Sequence, residues 1–183
     1  EGRKATLSHT GSLGSSDEAY EALFDQTGII RAQTIEELFD FAECFARNRV
    51  LTNDRVAIVT NAGGPGVVSA DAIAASGLKL AKISSETVQK LKGLLPASAG
   101  INNPVDILGD ASAERYEKTL KLILDDPGVG AVQVILTPQS MTQVEETARV
   151  IVHLAKQSKK PLVATFMGQG LVEEGVDILN RSK

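Results

Sequence analysis

"VAIVTNAGGPGVVSADAIAASG", residues 56–77, carries the plainest architectural signal in the chain. Four apolar residues run into Thr60, a tight glycine loop follows with Gly63, Gly64 and Gly66, and Pro65 stands where a first helical turn accepts it. The stretch therefore predicts a buried strand, a loop and a helix. Glycines in such a loop let the backbone approach a ligand with no Cβ in the way. The free N–H groups of the first helical turn, at the positive end of the helix dipole, suit a phosphate. In an open parallel sheet these loops lie at the carboxyl ends of the strands, where ligands bind. The pattern is neither GxGxxG nor GxxxxGK[ST], because no Lys-Ser/Thr follows the glycines. Spacing alone leaves two readings standing, a phosphate cradle or a plain tight βα turn.

The rest of the chain alternates the same two periods. "GIIRA" (28–32), "RVAIVT" (55–60), "LKLAKI" (78–83), "AVQVIL" (131–136) and "PLVATF" (161–166) read as strands. Helical patterns cover 16–27, 34–48, 65–76, 84–95, 112–125, 142–158 and 170–181, with Thr34, Ser84 and either Asp110 or Ser112 as caps. Thr34 and Glu37 match a capping box. Such alternation predicts an α/β fold of the flavodoxin-like kind, a parallel sheet with helices on both faces. A charged stretch, "RNRVLTNDR" (47–55), marks a boundary placed at 52/53. The piece before it has too few elements to close a domain alone and reads as the tail of a second α/β domain. The unit that follows is expected to stop short of a last strand, leaving a sheet edge that another chain could pair.

Composition narrows the function classes. The 183 residues are 43% hydrophobic, enough for a real core. With 19 basic against 23 acidic residues, 4% aromatics and no Trp, neither a basic footprint nor a stacking platform for nucleic acid is present. Cys44 is the only cysteine, so an internal disulfide and a Cys-rich metal framework are excluded, and a reducing cytoplasm is expected. No apolar run reaches the ~18–20 residues needed to span a bilayer, so no membrane partner is expected.

Two further stretches carry candidate chemistry. "INNPVDILGDAS" (101–112) offers Asn102, Asn103, Asp106 and Asp110 around Pro104 and Gly109. Asp110 is expected to cap the next helix. Asp106 stands among Val105, Ile107 and Leu108, where a carboxylate needs a partner. "SHTGSLGSSDEAY" (8–20) places His9 at the head of a Gly/Ser loop that runs into a helix start at Ser15, Ser16 and Asp17. Taken alone, His9 is either a hydrogen-bonded loop residue or a nucleophile that passes on a phosphoryl group, provided helix N-termini stabilise the phosphate. His153 lies at helical spacing in "ETARVIVHLAKQSKK", where packing or exposure suffices.

"SHTGSLGSSDEAYEALFDQTGIIR" closely resembles the phosphohistidine segment of the NDP-forming acyl-CoA synthetases, the ADP-forming acetate–CoA ligase group related to succinyl-CoA synthetase. "VTNAGGPGVVSADA", "INNPVDILGDAS" and "ILTPQSMT" are similar to successive motifs of the ligase domain that follows in that family. The resemblance implies that residues 1–52 are the C-terminal part of a phosphohistidine-bearing CoA-ligase domain and 53–183 a flavodoxin-like ligase domain. It also implies a reaction in which acyl-CoA and phosphate give acyl phosphate and CoA, the phosphoryl group moving through a histidine to ADP or GDP. His9 matches that histidine. Gly63, Gly64 and Gly66 would donate backbone N–H groups to the phosphate, with Asn61, Asn103 and Asp106 lining the same pocket.

The family's CoA-binding and ATP-grasp domains have no counterpart in these residues, so acyl-CoA, nucleotide and Mg²⁺ would be handled by other domains or subunits of an oligomeric enzyme. No cofactor is assigned to this piece, which is expected to be inactive alone, and no dedicated metal cage is apparent. Two other functions compete. One is a non-catalytic regulatory domain of a protein acetyltransferase, against which retention of His9 weighs. The other is a generic flavin- or nucleotide-binding domain, against which the scarcity of aromatic rings weighs.

Overall fold

The computed structural model describes residues 16–47, 50–51 and 53–182. The chain divides into two compact units, Glu1–Ala46 and Arg47–Lys183.

In the first unit, α1 (Asp17–Thr27) opens on Ser16, whose side chain accepts the N–H of Ala19, and closes on Gly28 at φ 69°, the left-handed conformation a helix C-terminus favours. Thr34 Oγ accepts the N–H of Glu37 at 3.0 Å and starts α2 (Ile35–Arg47), while the Glu37 carboxylate takes the N–H of Gln33 at 2.6 Å. The capping box thus forms, with its return bond displaced by one residue. Arg31 pairs with Asp17 at 3.1 Å and with Glu21, fastening the inter-helix segment to α1. That segment is not a strand. Residues 28–32 run between the helices with Ile29 and Ile30 exposed, because no described strand lies beside them to complete a ladder. None of the unit's described residues is buried, and Ile35, Leu38, Phe39 and Phe45 leave an apolar stripe on α2 open.

The second unit is built around β1 (Arg55–Thr60), of which every residue after Arg55 is buried. Beyond it come α3 (Gly63–Ala75), β2 (Lys79–Leu80), α4 (Ser85–Leu94), β3 (Val105–Asp106), α5 (Ala113–Asp125), β4 (Ala131–Leu136), α6 (Val144–Gln157), β5 (Leu162–Phe166), a 3₁₀ turn (Gln169–Leu171) and α7 (Glu173–Arg181). All strand pairs are parallel, in the order β2-β1-β4-β5, with β3 pairing β1 as well. Side-chain alternation along β1 and β4 sends Ala57, Val59, Val132, Val134 and Leu136 to one face, where α4, α5, α6 and α7 cover them. Val56, Ile58, Ala131 and Ile135 face the other way, onto Ile73 and Ala70 of α3. Helices therefore cover both faces, four against one.

Two expectations need correction. "LKLAKI" contributes only Lys79–Leu80 as strand, and Val105–Asp106, which is not among the strands expected from sequence, is a strand. Both short strands use the same edge of β1: β2 pairs Arg55 and Val56, and β3 pairs Val59 and Thr60. The gap between them is filled by the side chain of Asn103. Its Nδ2 donates to the carbonyls of Val56 at 2.8 Å and Ala81 at 3.0 Å, and its Oδ1 accepts the N–H of Ile58 at 2.9 Å. The amide acts as the missing rung of the ladder.

Asp126 performs a comparable task at the other end of the sheet. Buried after α5, it accepts the N–H groups of Ser84 at 2.9 Å and Gly128 at 2.8 Å. Burial would raise its carboxyl, but hydrogen bonds from Ser84, Thr87 and Gly128 outweigh that and hold it below the ordinary range. A depressed folded-state value stabilises above the unfolded value and ceases to do so as pH falls through the folded one. Asp126→Asn should therefore cost about 1–3 kcal/mol at neutral pH. Urea titrations should show that gap beginning to close below about pH 4, where the unfolded chain takes up the proton, and closing fully only as pH falls through the depressed folded value; a gap constant with pH would mean the charge contributes nothing.

Candidate functional site

The sequence-predicted residues gather at the carboxyl ends of β1 and β3, with two exceptions. His9 lies outside the described residues. The Asn103 side chain lies level with the middle of β1, and its bonds to Val56, Ile58 and Ala81 engage both of its N–H groups.

At the end of β1 the Thr60 hydroxyl donates to the carbonyl of Ala62 at 2.8 Å and accepts the Ala62 N–H at 3.0 Å, turning the chain into α3. Helix α3 begins at Gly63, two residues earlier than the sequence pattern indicates, so the glycines form its first turn rather than a preceding loop. The Gly66 N–H closes on the carbonyl of Ala62 at 3.3 Å. Pro65 has no N–H, which leaves Gly63 and Gly64 as the first-turn donors without an intrahelical acceptor.

The glycines differ in what holds them. A Cβ on Gly66 would lie 3.0 Å from Thr60 Cγ2 and 3.4 Å from Pro104 Cβ, so close packing of α3 on the strand ends requires glycine there. A Cβ on Gly63 would come 3.2 Å from Asp106 Oδ2. On Gly64 it would meet nothing within 4 Å, so no intramolecular contact explains that glycine.

The N-terminus of α3 also carries no cap or acid of its own. Ser16, Ser84 and Ser112 cap α1, α4 and α5 through their side chains, and α2, α6 and α7 carry two glutamates each in their first turns. Among the described residues α3 alone has neither a side-chain cap nor an acid in its first turn. The neighbouring side chains frame this opening. Asn61 is buried and tied to Thr137 of the β4 loop, its Nδ2 donating to the Thr137 carbonyl and its Oδ1 accepting the Thr137 N–H, both at 2.8 Å. This latch spans the carboxyl ends of β1 and β4, which lead to helices on opposite faces. Beneath it the Tyr116 hydroxyl donates to the Ile135 carbonyl at 3.0 Å, and burial pushes its phenol well above the usual range.

Asp106 ends β3 in register with Thr60. Its Oδ1 accepts the N–H of Leu108 at 2.9 Å, holding that residue at φ 71°, a left-handed conformation unusual for a leucine. Asp110 is not the cap of α5. That role falls to Ser112, while Asp110 pairs with Arg115 at 2.6 Å, which lowers its carboxyl. Arg115 also donates to the Ile107 carbonyl at 3.0 Å and so stiffens the loop. His153 is exposed on α6 beside Gln157. Thr60, Thr137 and Leu108 were not singled out from sequence, since hydroxyl and backbone roles have no pattern of their own. No group of three or more His, Cys, Asp or Glu among the described residues is placed to hold a metal ion.

The family described as Ligase-CoA domain matches residues 56–183, and the succinyl-CoA ligase like flavodoxin domain matches residues 1–45. An ADP-forming acetate–CoA ligase I of Archaeoglobus fulgidus is 46% identical over 99% of this chain and 25% of its own length. The alpha subunit of the ADP-forming acetate–CoA ligase II of Pyrococcus furiosus is 41% identical over 99% of this chain and 40% of its own. An ADP-forming 4-hydroxybutyrate–CoA ligase of Nitrosopumilus maritimus is 42% identical over 96% of this chain and 25% of its own. Acetyl-coenzyme A synthetase 1 of Ca. Korarchaeum cryptofilum, solved in complex with phosphate and ADP, superposes with a TM-score of 0.89 at 34% identity, covering 98% of this chain and 39% of that one. The chain thus spans a quarter to two-fifths of the relatives it matches.

Packing at the glycines predicts opposite outcomes for one added methyl group. Gly66→Ala should lose about 1–3 kcal/mol through overpacking against Thr60 and Pro104, whereas Gly64→Ala should be neutral or gain up to about 1 kcal/mol from helix propensity; denaturant midpoints of the two variants read the contrast. Asn103→Ala, which strands two carbonyls and an N–H, should cost about 2–4 kcal/mol by the same measurement.

Proposed function

The chain belongs to the Ligase-CoA domain family, and on that footing we propose that it is the phosphoryl-relay portion of an NDP-forming acyl-CoA synthetase. In the reaction so assigned, a phosphate oxygen attacks the thioester carbonyl of acyl-CoA, and the C–S bond breaks to give acyl phosphate and free CoA. An imidazole nitrogen of His9 then takes the phosphoryl group, the P–O bond to the acyl oxygen breaking to release the carboxylate. ADP or GDP takes the group from His9, forming the triphosphate and regenerating the imidazole. The reverse sequence makes acyl-CoA at the expense of the triphosphate. The observation that carries this reading is the open N-terminus of α3, where the Gly63 and Gly64 N–H groups and the positive end of the dipole stand without a protein counter-charge in the first turn. Such fixed donors stabilise a travelling phosphoryl group without reorganising.

Other features support the same division of labour. The Asn61–Thr137 latch fastens the β4 loop to the residue before the glycine turn, which keeps the surroundings of the proposed phosphate site fixed. CoA, nucleotide and Mg²⁺ are assigned to CoA-binding and ATP-grasp domains or subunits elsewhere in an oligomeric, cytoplasmic enzyme. The fit of relatives that run two and a half to four times longer supports this, since the chain covers 25–40% of their lengths.

The test uses the full-length protein with acyl-CoA and ³²P-labelled phosphate. Acid-labile label should appear on the protein and vanish in His9→Ala. Gly64→Asp, which sets a carboxylate into the cradle at a position where the helix tolerates one, should lower the label at least about tenfold with the fold intact. Binding of acyl-CoA without any label would instead identify a regulatory domain of an acetyltransferase.

A further inference from the structure

We propose that Lys160 is a modification site, an amine that takes an acyl group from an activated donor, thioester or acyl phosphate, and holds it against the apolar wall beside β5. It rests on the function proposed above only for the source of such donors. Among the described residues every lysine except Lys160 is exposed. Lys79, Lys90, Lys118 and Lys121 meet carboxylates at 2.5–2.7 Å. Lys160 is half-buried and makes no ion pair among the described residues; its ammonium donates to a neutral acceptor, the Asp126 carbonyl, at 2.5 Å. A cation placed in this way gives up water without gaining a counter-charge in contact.

The position is built rather than incidental. The Ser158 hydroxyl accepts the Lys160 N–H at 2.9 Å and donates to its carbonyl at 3.1 Å, which fixes the backbone at the turn into β5. The side chain borders a cavity of about 350 Å³ between α6, β5 and α7, with Val152, Ala155, Leu162 and Val176 in its wall and no other charged residue lining it. Its far end reaches the C-terminus of α5, which has no basic residue in its own last turn. Asp126 and Asp125, at that helix end, favour the charged form. Burial outweighs them and holds the ammonium below the ordinary lysine range.

An amine attacks through its neutral form. Neutral Lys160 can keep one N–H on the Asp126 carbonyl while its lone pair adds to the acyl carbon. The C–S bond of a thioester breaks, or the bond from the acyl carbon to the phosphate oxygen, and CoA or phosphate leaves. Of the two protons the ammonium gives up, one goes to solvent and one to the leaving group. The amide formed retains an N–H for the same carbonyl, carries no charge to desolvate, and lays its acyl chain along the apolar wall. The end of α5 loses a cation in exchange.

The experiment incubates the full-length protein with acetyl-CoA and, separately, with acetyl phosphate, and reads the initial rate of acetylation at each lysine by peptide mass spectrometry. Lys159, adjacent and exposed, is the internal reference. At pH 7 Lys160 should react at least about threefold faster than Lys159 with one donor or both, as expected of an amine that burial makes easier to deprotonate. The advantage should shrink as pH approaches about 10.4, where an ordinary lysine is half neutral. Whichever donor shows it identifies the source. A Lys160 rate no greater than that of Lys159 with both donors overturns the proposal, and so does an advantage that does not change with pH. Because the donors are added from outside, either result leaves the phosphoryl relay standing, and loss of the relay's ³²P label leaves this ratio untouched. The ratio is read on wild type and needs no variant to fold.

Discussion

One amide holds the second unit in register. The central strand β1 has both faces and both edges occupied, but its β2/β3 edge is paired by two strands of two residues each, one at either end. Buried backbone groups between them must find partners or cost the full penalty of desolvation. Asn103 supplies those partners for Val56, Ile58 and Ala81. Because Asn103 lies directly before Pro104 and β3, the same contact locates Asp106 and the packing of Pro104 against α3. The position of the glycine turn against Pro104 and Asp106 is thus inherited from a hydrogen-bonding need in the middle of the sheet.

Helix electrostatics then distinguish that site from the rest of the unit. Four of its five helices have their positive ends met by a serine cap, by glutamates in the first turn, or by both. Helix α3 keeps two backbone donors exposed, while the Gly66 contact with Thr60 fixes their placement and Gly64 leaves room in front. Close packing and open space thus fall to different glycines of a single turn. Asp106 sets a carboxylate beside these donors without joining the helix, which gives the opening both signs of charge within a small space.

Much of this was legible from residue patterns. The strand–glycine–helix run at 56–77, the buried strands at 131–136 and 161–166 and the helices behind them follow from hydrophobic period and cap residues, which are local properties. The same local logic failed where a neighbour had the deciding vote. Residues 28–32 have strand composition but no described strand to pair with, and Val105–Asp106 is too short and polar to announce itself yet is drawn into the sheet by β1. Asp110 has the chemistry of a cap, but Arg115 one turn on claims it and leaves Ser112 to close the helix.

The order of the amino acids settles which segments become strands and helices, that a glycine-rich turn follows the central strand, and which family the chain resembles, because each depends on residues adjacent in the chain. Which polar side chain serves the backbone and which stands against the glycine turn depends instead on residues 40 or more positions apart, as Asn103 with Ile58 and Asp106 with Gly63 show. Hydrogen-bond valence is finite, so an amide consumed by three backbone partners has no donor left for a ligand. That exclusion exists only once the chain has folded and distant carbonyls have been brought within reach.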